Sequence, residues 1–197
     1  MRRAPKRGVY ARETVDAILD EAVVCHVGFL ADRHPAVVPV ACARDGDALL
    51  LHCARASRLA KSLNRRAEVC VAVTHLDGLV LARSAFHHSM NYRSVVLYGR
   101  PRAITAPEEL HRALRVLTDH LAPGRWSVIR QPSAKELRAT VVYRIPLTEV
   151  SAKIRRGPPL DDPGDLDWPV WAGVVPLRMQ RGRPEPFGSD QAPGRPR

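Results

Sequence analysis

The stretch Phe86 to Arg100, FHHSMNYRSVVLYGR, sets two adjacent histidines, an asparagine, a tyrosine, an arginine and two serines just ahead of an apolar run. Donors at that density are costly to bury without partners. They either bind something anionic or aromatic or lie in a solvated loop, and the run VVLYG that follows at once fixes where they point, which favours binding. His87 and His88 are neighbours, so an extended backbone sends them to opposite faces and at most one enters a shared pocket. A second concentration of chemistry spans residues 52–61, where His52, Arg55, Ser57, Arg58 and Lys61 sit between an apolar strand-like run and a helix-like one. Free N–H groups at such a junction, with cations beside them, suit a phosphate; the same residues also make an ordinary capped, solvent-facing helix start. An imidazole at His52 titrates near neutrality and could donate to an anion or exchange a proton, or be a plain hydrogen-bonded strand histidine. No GxGxxG, Walker A loop, HExxH, catalytic triad or paired carboxylates appear.

The elements that position these residues follow from periodicity. ETVDAILDE (13–21) places Val15, Ile18 and Leu19 at helical spacing. VVCHVGFL (23–30), AVVPVACAR (36–44) and ALLLHCA (48–54) read as successive strands, the last two joined at the hairpin signal Asp45-Gly46. Residues 56–69 predict a helix capped by Ser57, leading into a strand over 69–83. A polar loop, a strand over 94–105 and a helix opened by Pro107 and running to about His120 come next. A short helix over 133–138 and one long strand over 139–154 close the predicted domain. Meander, crossover and further strands suit a closed or partly open β-barrel of about six antiparallel strands with two to four peripheral helices.

The net charge of +11 resembles a nucleic-acid signal until it is located. Residues 1–12 carry five basic groups and no acid, and residues 178–197 carry five basic and two acidic, so little excess charge is left for the body. A nucleic-acid module carries its cations on a folded face among aromatics, and specific nucleic-acid binding is not expected. Cys25, Cys42, Cys53 and Cys70 lack metal-ligand spacing and read as buried free thiols. No signal-type segment and no run of membrane-spanning length occurs, so a reduced, cytoplasmic setting is expected. Four segments result: a basic arm (1–12), the barrel domain (13–156), a docked extension (157–177) whose apolar island WPVWAGVVPL must find a partner surface, and a basic tail (178–197) of disordered composition.

Taken in order, KRGVYARETV, VVPVACARDGDALLLHCARASR, LDGLVLARSAFHHSMNYRSVVLYGR, SAKIRRGPPLDD and PVWAG resemble the pyridoxamine 5′-phosphate oxidase-like FMN-binding split-barrel proteins, in the flavin-nucleotide-binding branch that includes the nitroimidazole-resistance proteins. The resemblance runs from about Lys6 through Leu177. It implies a split β-barrel of Greek-key character, a homodimer, and FMN in a groove at the protomer interface. It places Ser57 and Arg58 at the family's phosphate position, the backbone of Val38, Pro39 and Val40 along the flavin ring, and Met90, Asn91, Arg93 and Ser94 in the same pocket. It makes His52 the candidate catalytic residue, beside cofactor and substrate. Pro39 lacks a ladder N–H, which fits an edge strand.

The chain lacks the oxidase's phosphate strand and its C-terminal Arg- and His-bearing substrate segment, so oxidation of pyridoxamine phosphate is not expected. The function implied is an FMN-dependent oxidoreductase carrying electrons from a reduced donor to a small electrophile such as a nitroaromatic or quinone. The alternatives are a non-catalytic flavin-nucleotide carrier or sensor, a haem protein ligated through His52, His87 or His88, and a deazaflavin protein of the same fold.

Overall fold

The computed structural model describes residues 8–65, 68–185 and 187. Ten strands and four α-helices occur among them: β1 (Gly8–Val9), α1 (Arg12–Glu21), β2 (Val24–Ala31), β3 (His34–Asp45), β4 (Ala48–Ala54), α2 (Arg58–Asn64), β5 (Val69–Leu81), β6 (Ser89–Gly99), β7 (Arg102–Ala103), α3 (Pro107–Leu121), α4 (Ala134–Ala139), β8 (Thr140–Pro146), β9 (Glu149–Arg155) and β10 (Gly173–Pro176). The strands join in the order β1-β9-β6-β5-β2-β3-β4-β8-β7, with β10 added to β5, and every pairing is antiparallel.

The hinge of this sheet is β3. Its residues His34 to Ala41 pair with β2 and its residues Cys42 to Asp45 pair with β4, so one strand passes between two half-sheets. The half-sheets close on one core: Val27, Val71, Val95 and Ala152 from one meet Leu49, Leu51, Val141, Tyr143 and Ile145 from the other. Helix α1 seals this core with Val15, Ile18 and Leu19. A second core lies behind β4 and β8, where Leu110, Ala113 and Leu117 of α3 cover Ala43, Leu50 and Val142. Alternate residues of β4 thus face two different cores, which is why ALLLHCA reads as a continuous apolar run.

Several elements are shorter or more numerous than their sequence suggested. The single strand expected over 139–154 is two, because the chain turns between Pro146 and Glu149 and Leu147 donates its N–H to the Asp47 carbonyl at 2.8 Å. The strand expected over 94–105 ends at Gly99, ahead of Pro101, and β7 is a separate two-residue piece. The loop expected before residue 94 is instead the first half of β6, since Ser89 to Arg93 pair with β5. With β1 and β10 added, the strand count rises from about six to ten. β1 falls in the stretch expected to be a basic arm, and β10 in the apolar island. Helix α2 ends at Asn64 rather than near residue 69.

The local signals behave as their chemistry dictates. Ser57 accepts the Ala60 N–H at 3.1 Å as the cap of α2, and Ser133 with Glu136 forms a reciprocal capping box on α4. Pro107 opens α3 with Glu108 and Glu109 in its first turn. Gly46 carries the positive φ of 60° that its hairpin turn requires. All four cysteines are free, Cys25 and Cys42 buried and Cys53 and Cys70 half-buried.

Candidate functional site

Strand parity sorts the polar residues of β6. Val95 and Leu97 enter the core, so Asn91 and Arg93 share their face, while Met90, Tyr92 and Ser94 look outward. At the barrel end Arg93 is bound on both sides. Its guanidinium donates to Asp77 of β5 at 3.0 and 2.8 Å and to both carboxylate oxygens of Glu21 at the end of α1. These bonds hold the Glu21 and Asp77 carboxyls below their ordinary pKa, against a smaller opposing effect of burial. Asn91 accepts from Arg155 and donates to the Gly157 carbonyl at 3.1 Å. Ser94 donates to the Lys153 carbonyl at 3.3 Å.

The outward face of β2, β3, β5 and β6 is largely apolar. Cross-strand pairs place Val37 beside Gly28, Cys70 and Tyr98 in one row, and Pro39 beside His26, Ala72 and Val96 in the next. Val24, Leu30, Val37, Leu76, Leu79, Met90 and Tyr98 of this face are all exposed. Over residues 34–41, β3 pairs on one side only, so Pro39 does sit on an open edge. Val38 and Val40 turn their side chains to the core and offer only backbone to that edge.

The junction of β4 and α2 gathers the other group. His52, Arg55, Ser57, Arg58 and Lys61 lie within ten residues, but they are differently committed. Arg55 donates to the carbonyls of Arg138 at 3.0 Å and Thr140 at 2.9 Å, tying the junction to α4 and β8. The Ser57 hydroxyl is the helix cap. The side chains of Arg58 and Lys61 make no hydrogen bond or ion pair among the described residues. His52 leaves β4 on the side of the second core and lines a cavity of about 350 Å³ with Leu114, Trp126, Ile129, Arg130 and Leu137. Its Nδ1 is buried without a partner, and burial pushes the imidazole pKa below its ordinary value, so the ring is neutral at pH 7.

The structure therefore turns His52 into the cavity beside the second core, leaves Arg58 and Lys61 on α2, which packs against the first core, and sets Met90 and Ser94 on the outward sheet face. It directs the Arg93 and Asn91 side chains toward partners at the barrel end. Trp126 and Leu114 beside His52 carry no local sequence signal, because they arrive from the turn after α3 and from α3 itself. A second missed feature is the loop before β6, where Arg83 binds the buried Asp161 carboxylate through its backbone N–H and its guanidinium, both at 2.8 Å. His87 meets Asp162 at 3.1 Å, so the segment after β9 is fastened to that loop.

A ten-stranded sheet split at β3 and closed on a shared core, with an exposed apolar face outside, defines a split-barrel protein. The sequence pattern of the pyridoxamine 5′-phosphate oxidase family matches residues 11–154, and the chain belongs to that family. Among solved structures, the flavocytochrome Anf3 from Azotobacter vinelandii is 41% identical with a TM-score of 0.92, covering 100% of this chain and 91% of that one. The FAD- and haem-binding protein from Mycobacterium smegmatis is 36% identical with a TM-score of 0.89, covering 96% of this chain and 93% of that one. A protein described as a candidate 5-nitroimidazole antibiotic resistance protein, from Bacteroides thetaiotaomicron, shares the fold at 23% identity and a TM-score of 0.63, covering 75% and 86%. No curated protein matches significantly. No helix among the described residues is long and apolar enough to cross a membrane.

Proposed function

We propose that this chain is a flavin- and haem-binding electron-transfer protein that works as a homodimer. The observation that carries the reading is the likeness at 41% and 36% identity, over essentially the whole chain, to a flavocytochrome and to an FAD- and haem-binding protein. The residues present fit both groups. A flavin is a planar body with an anionic tail, and the outward sheet face supplies a flat apolar floor with the free edge of β3 beside it. Arg58 and Lys61, whose side chains are uncommitted among the described residues, would take the phosphate. For haem, the same apolar surroundings and a choice of histidines with uncommitted ring nitrogens fit the porphyrin and its iron.

A bound flavin supplies one- or two-electron transfer and a haem one-electron transfer, so the protein's task is to hold, orient and shield them. The neutral His52 ring, kept uncharged by burial, could hydrogen-bond a neutral polar atom in its cavity without bringing a charge there. No nucleophile is required of the chain. FMN and FAD share the ring and first phosphate that these residues would contact, and the Mycobacterium smegmatis protein makes FAD the first flavin to test. The outward face exposes Val24, Leu30, Val37, Leu76, Leu79, Met90 and Tyr98, and a second copy of the chain is the occupant proposed for it. The expected acceptor is a small electrophile such as a quinone or nitroaromatic, reduced at the expense of a nicotinamide or another donor.

The test is the visible spectrum of the purified protein before and after incubation with excess FAD, FMN or hemin and removal of unbound material. A flavin spectrum and a Soret band, each retained near one per protomer, support the reading. A flavin band alone reduces it to a flavoprotein, and a protein that retains neither sinks it. Bleaching of the flavin by NADH or NADPH, followed by reoxidation with a quinone, separates a turning-over enzyme from a carrier.

A further inference from the structure

The haem reading leaves open which side chain meets the iron, and the hydrogen bonds of the histidines discriminate among them. All eight histidines lie in the described residues. A histidine on iron coordinates through the less hindered Nε2 and donates its Nδ1–H to a carbonyl or carboxylate, which fixes the tautomer and the ring orientation. His75, His87 and His120 already spend Nε2, on the Ile18 carbonyl at 3.0 Å, the Asp162 carboxylate at 3.1 Å and the Ala22 carbonyl at 2.8 Å. His52 has the opposite defect: its Nδ1 is buried without any acceptor, so iron at Nε2 would leave an unsatisfied N–H inside the protein. His26, His34 and His111 have no hydrogen bond among the described residues to orient the ring, and His111 packs edge-on against Trp126 at 5.0 Å.

His88 alone has the required arrangement. Its Nδ1 lies 2.9 Å from the Ser84 carbonyl, an acceptor that obliges this nitrogen to carry the proton and leaves the Nε2 lone pair free. The ring is exposed, so Nε2 can be reached. Its neighbours suit a porphyrin. Two residues before it Phe86 is 90% exposed, and two residues after it Met90 is 49% exposed beside its strand partner Leu79. The loop that carries it is braced from behind by the Arg83–Asp161 and His87–Asp162 contacts, which hold the Ser84 carbonyl in place.

We propose that His88 is the axial iron ligand, binding through Nε2 with Nδ1 oriented by the Ser84 carbonyl; the assignment rests on the haem reading above. The adjacent His87 is then a positioning residue, its Nε2 held on Asp162, and His52 is left for a different ligand in its own cavity.

The experiment uses the full chain reconstituted with hemin and compares the wild type with His88→Ala, His52→Ala and His26→Ala by Soret and low-temperature EPR spectra. Thermal unfolding of each apoprotein checks that all fold. His88→Ala is expected to lose the imidazole-ligated signature and to hold hemin roughly tenfold or more weakly, with added imidazole restoring the signature; His52→Ala and His26→Ala should keep it. An unchanged spectrum in His88→Ala, or its loss in His52→Ala or His26→Ala instead, overturns the assignment while the haem reading stands. A wild type that takes up no hemin overturns both.

Discussion

Replacing Arg93 with methionine isolates what its guanidinium does. Two of its hydrogen bonds go to Asp77 and two to Glu21, joining the end of α1 to the bulge in β5. The Arg93 side chain is 20% exposed, against 31% for Asp77 and 52% for Glu21, so the Asp77 pair is the better shielded. An exposed pair contributes up to about 1 kcal/mol, and a hydrogen bond to a charged group in a shielded site about 1.5–3 kcal/mol. Weighting the two pairs accordingly, Arg93→Met should cost about 2–3 kcal/mol in urea unfolding at pH 7. The pH dependence is the sharper test. Glu21 and Asp77 have folded pKa values below their ordinary 4.5 and 3.8, so the stabilisation is fully present above about pH 4.5 and is lost as pH falls through the depressed folded values. The stability gap between wild type and variant should be constant from pH 7 to pH 5 and should narrow below that. Retained flavin per folded protomer should be unchanged, because this side chain is committed to the barrel end. A variant as stable as the wild type, or a gap that does not narrow at all as pH falls below 4, would refute the latch; loss of flavin without loss of stability would return Arg93 to the cofactor.

Gly78→Ala would bring a Cβ to 3.0 Å from Val174 Cγ1 and 3.1 Å from the Val175 carbonyl, so β10 should loosen from β5 at a cost of about 1–3 kcal/mol, read as faster amide exchange over residues 173–176. Leu50→Ala empties a fully buried position in the second core and should lower unfolding stability by about 2–5 kcal/mol with an unchanged denaturant slope. Val37→Lys sets a charge on the exposed apolar face; if the proposed dimer forms there, sedimentation should show the variant smaller than the wild type, and equal sedimentation of the two would refute an interface on this face.

The parts of the fold legible in the sequence were those with a local cause. The 3.6-residue spacing in 13–21, the Ser57 cap, the Asp45-Gly46 turn and the Pro107 helix start all depend on a few neighbouring residues, and each appears where its chemistry places it. The failures have long-range causes. Residues 139–154 alternate well enough to read as one strand, and what bends the chain at Leu147 is a backbone bond to Asp47, a hundred residues away in sequence. The polar run 89–93 reads as a loop because its partners, Glu21, Asp77, Arg155 and Gly157, come from three other segments. The same blindness affects the candidate site. Its residue types were visible, but which donors are already spent is a property of the folded partners.

That distinction bears on the chemistry more than on the fold. The donors of β6 divide by strand parity: the inward set is consumed by carboxylates and carbonyls, and the outward set stands on an apolar face. Side chains uncommitted among the described residues include His26 on that face, Arg58 and Lys61 after β4, and the Nε2 of His88 before β6. An apolar sheet face, uncommitted cations and an oriented imidazole on one chain are the groups that planar molecules with charge at their periphery call for. Flavin nucleotides and haem are both of that kind, the first with phosphates and the second with propionates. The tightly paired interior donors would serve either cofactor in the same indirect way, by fixing the strands whose outward residues touch it.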